Sequence, residues 1–287
     1  MEMIKKFVLS VLPLILIICN AFATEKPVLR YGFSTFFSDF DLSYAKGALD
    51  LWGKKMGERT GFNSECYILN NINALAEKIK HKEIDIGSAL SVEYIQLKKI
   101  HDLQPMYAQK NCADPYYIVA KKNQTIKNLS DLKGKRFARY RNDKLGKLYL
   151  NTLLLKQFQK EQDTFFSSII QKKKYSLALY DVFFDKADAC MVLKRTYDLL
   201  CELNPQIKQD ISILHMSEPF IPLVTFCRGD IDQHLKLLFI KAVKNMFDFE
   251  EGRQIMLIFN VTDIMDLTDK DLENVTNLIQ KYEKLKQ

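Results

Sequence analysis

The sequence predicts an α/β protein of two lobes, each a mixed, mainly parallel sheet flanked by helices, with strands crossing between them. Three observations carry this. Short apolar strands alternate with amphipathic helices along the chain, the pattern of parallel sheets covered by helices. Two such blocks follow one another with no linker, repeat or low-complexity stretch between them. Apolar runs at 103–109 and 116–121, separated by the turn-forming 111–115, stand where the first block gives way to the second, so the joint is read as a hinge made of strands.

In order, residues 29–35 read as the first strand, ending in Ser34-Thr35. Asp41 can cap a helix that runs to about 59 and stops at Gly61. A strand at 66–69 and a helix at 73–82 follow. The strand 84–89 then runs into a small-residue turn, where Ser91 is placed to cap a helix over 92–100. In the second block 136–140 is a strand, 145–158 and 175–184 are helices, and 187–193 is a strand. A helix at 196–203 is expected to stop at Pro205, and strands follow at 211–216 and 223–227. The rest is helical: Leu235, Leu238, Phe239, Ala242, Val243 and Met246 form an i, i+3, i+4, i+7 stripe, and Leu272, Val275, Ile279 and Tyr282 repeat it.

The N-terminus reads as an address. Lys5 and Lys6 precede an apolar run at 7–18, and Ala21-Phe22-Ala23 is a small-x-small cleavage pattern. The run is roughly 12 residues, short of the ~20 that span a bilayer. Export with cleavage after Ala23 is expected, giving a periplasmic protein. Its 42 basic and 35 acidic residues are interspersed, which argues against nucleic-acid binding and is compatible with an anionic ligand.

Of six cysteines, Cys19 falls in the leader, and the remaining Cys66, Cys112, Cys190, Cys201 and Cys227 are odd in number and widely spaced. They form no disulfide framework and no CxxC or Cys/His zinc site, so small buried residues are the expectation for most of them, with one or two bridges as the alternative in an oxidising compartment. The four histidines make no HExxH. GxSxG, GxGxxG and P-loop motifs are absent too, so neither an enzyme nor a cofactor is expected.

Three stretches carry a resemblance. Glu83-Ile84-Asp85-Ile86-Gly87-Ser88, followed by Tyr94, is the first. Asn128-Leu129-Ser130-Asp131-Leu132-Lys133-Gly134-Lys135-Arg136 is the second. The third is Phe184-Asp185-Lys186-Ala187-Asp188-Ala189 with Ser217-Glu218-Pro219-Phe220-Ile221-Pro222. In this order they resemble the periplasmic phosphate- and phosphonate-binding proteins of ABC transporters, within the group that includes sulfonate binders and transferrin-like proteins. The resemblance implies a type II binding-protein fold with lobe 1 at 24–109 plus 217–287 and lobe 2 at 110–216. A small anionic ligand would be captured by cleft closure and delivered by a monomer to an inner-membrane permease. A sensor that signals to a membrane receptor, a kinase or cyclase, is the alternative with the same hinge.

Candidate ligand contacts follow from that architecture. Ser34, Thr35 and Phe36 follow the first strand, Ser88 and Tyr94 flank the start of the third helix, and Tyr107 ends the hinge strand. Tyr140, Arg141 and Asn142 form the turn opening the second lobe, and Ser217 marks the return to the first. The phosphonate binders carry a small-hydroxyl turn where this chain has Tyr140-Arg141-Asn142-Asp143-Lys144. Arg141 offers a bidentate contact to an oxyanion, whereas Asp143 repels one unless it caps the helix.

Overall fold

The computed structural model describes residues 27–34, 42–122 and 125–287. The leader, Thr35, Phe36 and the expected cap Asp41 lie outside these residues. The first sheet is begun by β1 (Val28–Phe33), α1 (Leu42–Thr60), β2 (Asn63–Ile68), α2 (Ile72–Lys80), β3 (Ile86–Leu90), α3 (Ser91–Lys98) and β4 (Leu103–Gln109). The chain crosses into β5 (Asp114–Lys121), β6 (Arg136–Tyr140), α4 (Lys144–Phe158), α5 (Gln162–Phe165) and β7 (Ser168–Lys172). The second block continues with α6 (Tyr175–Phe183), β8 (Ala189–Leu193), α7 (Lys194–Leu203), α8 (Pro205–Asp210) and β9 (Ile211–Phe220). It returns through β10 (Leu223–Arg228), α9 (Gln233–Asn245), α10 (Glu250–Ile258), β11 (Ile264–Asp266) and α11 (Glu273–Leu285).

Two sheets result, ordered β11-β4-β10-β3-β1-β2 and β7-β6-β8-β5-β9. The pairings β1/β2, β1/β3, β6/β7 and β6/β8 are parallel. Those made by β5, β9, β10 and β11 are antiparallel. The sheets are therefore mixed, with a larger antiparallel share than the expected mainly parallel pattern, because strands on either side of each crossing run against their neighbours. The crossings lie side by side: Asp114 pairs with Phe220 and Pro115 with Pro219. The expected return at Ser217 falls inside β9, and the chain leaves the second sheet only after Phe220.

Each sheet is covered on both faces. On the first, Tyr31, Trp52, Phe239 and Met256 fill the layer under α1, α9 and α10. The other face carries Leu75, Ile79, Tyr94 and Val275 in a cluster that continues into the second lobe through Phe137, Leu150 and Phe165. The far face of the second sheet buries Ala178, Leu179, Tyr197 and Ile207. α11 packs on both α3 and α4, and Tyr282 Oη donates to Glu161 Oε1 at 2.5 Å, so the C-terminal helix touches both lobes.

Local chemistry explains where elements start and stop. Gly61 ends α1 at φ 76°, and Gly134 turns the chain into β6 at φ 73°, both left-handed conformations that favour glycine. The expected elements are amended in three places. α7 does end at Leu203, ahead of Pro205 as expected, but Pro205 also opens a helix: it is the first residue of α8, capped by Asn204 accepting from the Gln206 amide at 3.2 Å, a place where proline's missing N–H costs nothing. Ser91 is not the cap of α3: Leu90 holds that position, its amide bonded to Glu93 Oε2 at 3.3 Å. The buried Ser91 hydroxyl has no hydrogen-bond partner among the described residues. The strands β7 and β11 are additions to the expected set.

Gly87 sits opposite Phe226 in the β3/β10 ladder, and a Cβ there would stand 2.7 Å from the ring Cζ. Gly87→Ala is expected to cost about 1–3 kcal/mol through overpacking. Urea unfolding should show a lower midpoint at unchanged m-value.

Candidate ligand-binding site

A cavity of about 200 Å³ lies between the two sheets. Leu90 and Pro222 line it from the first lobe, Tyr140, Asn142, Lys144 and Tyr175 from the second, and Cys112 and Asp114 from the crossing. Its second-lobe wall is placed by the end of β6 and the first turn of α4, whose leading N–H groups have no intrahelical partner.

Asp143 is the N-cap of α4 and is buried. Its Oδ1 accepts from the Gly146 amide at 2.7 Å and from Tyr116 Oη at 2.9 Å, and its Oδ2 accepts from Tyr175 Oη at 2.7 Å. Burial pushes the carboxyl above its ordinary 3.8, while the Gly146 amide and the two phenols pull it back. Burial, then the neighbouring charge of Asp143, pushes Tyr116 well up, and Tyr175 is raised by burial first as well. Both phenols therefore remain donors at neutral pH. The side-chain anion occupies the helix terminus that an oxyanion would otherwise approach. Asp143 serves as the cap rather than as a free charge facing the ligand.

Beside it, Lys144 Nζ reaches Glu93 Oε1 at 2.6 Å, joining α4 of one lobe to α3 of the other. Glu93 is buried and also accepts from Ser34 Oγ at 3.1 Å and from the Leu90 amide. One carboxylate thus ties together the end of β1, the start of α3 and the opposite lobe. At the crossing, Asp114 accepts from Arg195 Nε at 2.8 Å, and the same guanidinium donates to the Asn111 and Cys112 carbonyls. Arg195 fastens the hinge.

A second cavity, of about 170 Å³, opens inside the first lobe between its sheet and α1 and α10. Its walls include Phe33, Trp52, Tyr107 and Phe259. Ser88 Oγ lies 2.5 Å from Tyr31 Oη and 2.7 Å from Thr225 Oγ1, a buried hydroxyl cluster on one side of it. Cys112 and Pro222 line both cavities.

Of the residues singled out in the sequence, Tyr140 and Asn142 line the interlobe cavity, and Arg141 is exposed in the same turn. Ser34 stands behind Glu93, while Ser88 and Tyr107 line the first-lobe cavity. Ser34 and Arg141 line neither cavity themselves, and Tyr94 and Ser217 are brought to neither. Tyr94 is fully buried in the core against Phe226, ring centroids 5.2 Å apart. Ser217 accepts from the Tyr116 amide at 2.8 Å and donates to the Glu218 carbonyl, holding the crossing strand. Thr35 and Phe36 lie outside the described residues. Glu93, Lys144, Tyr116 and Tyr175 were missed. Glu93 carried no local signal: the residue three positions before it is the N-cap Leu90, not the Ser, Thr, Asp or Asn of a capping box, and nothing local marked its partner across the lobes.

Residues 36–272 match the family described as "ABC transporter, phosphonate, periplasmic substrate-binding protein". The chain belongs to this family. Solved structures agree on the fold. PhnD1 from Prochlorococcus marinus, in complex with methylphosphonate, is 15% identical, with a TM-score of 0.64 over 90% of this chain and 98% of that one. XAC2383 from Xanthomonas citri, bound to chloride ion, is 15% identical, with a TM-score of 0.66 over 90% and 98%. A binding protein component of an ABC phosphonate transporter from Pseudomonas aeruginosa is 12% identical, with a TM-score of 0.63 over 91% and 88%. No curated protein sequence matches the chain. The phosphonate-binding family is one of substrate-binding proteins rather than of enzymes, and its members are periplasmic.

The buried carboxyl of Asp143 gives a pH test. Its folded pKa lies above the ordinary value, so the stability tied to its protonated form is present at low pH and is lost as pH rises through the folded pKa. Asp143→Asn lacks that loss. Urea melts between about pH 4 and 7 should show the variant gaining on the wild type as pH rises; a constant difference would mean that the carboxyl ionises as freely folded as unfolded.

Proposed function

We propose that this protein captures a small anionic ligand between its lobes and delivers it to an inner-membrane permease, with no chemistry performed on it. The observation that carries the reading is the Lys144–Glu93 pair across the interlobe cavity. A cation at the opening turn of α4, beside Asn142 and Arg141, meets an anion where the helix dipole also favours negative charge. Because Asp143 already takes the Gly146 amide, the contacts fall to Lys144, Asn142 and Arg141, with Tyr140 as a wall. The ligand competes with Glu93 for the Lys144 ammonium, which couples occupancy to the contact between lobes. Residues 1–23 act as a cleaved export signal in this reading.

Thermal melts with methylphosphonate, phosphate, sulfate and short sulfonates test it. At ~100 times its dissociation constant a ligand adds about 2.7 kcal/mol, raising the midpoint by several degrees. Lys144→Met should weaken that ligand at least tenfold, and Glu93→Gln should strengthen it by removing the competing charge. Midpoints unmoved by every anion would overturn the reading.

A further inference from the structure

We propose that the ligand carries one benzene-sized apolar group, which enters the first-lobe cavity while its anionic end stays between the lobes; this rests on the interlobe reading above and specifies its substrate class. The first argument is size and lining. The cavity measures about 170 Å³, and an apolar cavity of about 150 Å³ accepts benzene. Its walls are rings already in mutual edge or tilted contact: Tyr31 lies 4.9 Å from Trp52 and 4.3 Å from Phe33 between centroids. An incoming ring extends that set with the same geometry.

The second argument is position. Cys112 and Pro222 belong to the walls of both cavities, so the apolar space adjoins the interlobe space at the crossing. A ligand with a short neck between head and ring spans the two. Ligands with a methyl group or none leave the aromatic compartment unused.

The third is the hydroxyl cluster. Tyr31, Ser88 and Thr225 hydrogen-bond among themselves and Tyr107 joins them at Tyr31 and Thr225, yet each hydroxyl has two acceptor positions and one donor. The cluster therefore retains acceptor capacity toward the cavity. A ring bearing one hydroxyl or amino group is accommodated there, whereas a charged one is left without a counter-ion.

The chain reports on this itself, because its single tryptophan, Trp52, lines the cavity. Three probes separate head from ring: benzylphosphonate, methylphosphonate and benzyl alcohol, titrated into the purified protein with calorimetry and with Trp52 emission excited beyond the absorption of the benzyl ring. Benzylphosphonate is expected to bind at least tenfold tighter than methylphosphonate, in line with burying a ring of that size. It and benzyl alcohol should both change Trp52 emission. Val261→Phe, at a half-buried wall position of this cavity, should erase the preference and leave methylphosphonate affinity within about twofold, since uncoupled sites act independently. Ile264→Phe serves the same purpose if that variant folds poorly.

Equal affinity for the two phosphonates, or Trp52 emission unmoved by both benzyl compounds, overturns the inference and leaves the interlobe reading standing. If neither phosphonate binds while benzyl alcohol still registers at Trp52, the anionic-head reading fails and the aromatic compartment stands.

Discussion

The pairing of β5 with β9 is the constraint on which the rest depends. The chain must leave the first sheet and come back, and it does so through two segments bonded to each other, Asp114 against Phe220 and Pro115 against Pro219. Because the crossings are adjacent, relative motion of the lobes reduces to rotation about a narrow line. Everything that reads that rotation is built close to it. Arg195 clasps Asp114 and the carbonyls of the connecting turn, Ser217 is bonded to the Tyr116 amide, and both cavities open beside Cys112. α11, lying across α3 and α4, adds a contact that any rotation must accommodate.

The second-lobe turn of this chain holds an anion of its own. Asp143 occupies the head of α4 and is held by a backbone amide and two phenols. Such an internal anion satisfies the helix dipole without any ligand, and it rigidifies the wall on which Tyr140 and Tyr175 stand, their rings 5.1 Å apart. The next residue, Lys144, is cationic and faces a carboxylate of the other lobe.

Much of this was legible in the sequence where local rules dominate. The runs at 103–109 and 136–140 matched β4 and β6 to the residue, since alternating apolar side chains and flanking turns leave little freedom there. β7 was lost because its Ile169-Ile170 core is short and followed by Lys172-Lys173-Lys174, a composition that reads as solvated surface. Tyr94 was misjudged because a tyrosine on a helix next to a turn looks the same whether its ring faces cleft or core. The first-lobe cavity was invisible for a deeper reason: Tyr31, Trp52, Thr225 and Met256 come from widely separated parts of the chain and meet only once both crossings are made. Glu93 and Lys144 likewise become partners only through the tertiary arrangement.

The cysteines carry one last consequence. All five in the described residues are free thiols, and Cys112, Cys190 and Cys227 are buried. Burial raises their pKa, that of Cys190 most markedly among these three, which keeps the thiolate, the species that reacts, scarce. In a family of periplasmic proteins, the described residues of this one are thus held by packing and hydrogen bonds, with no disulfide among them.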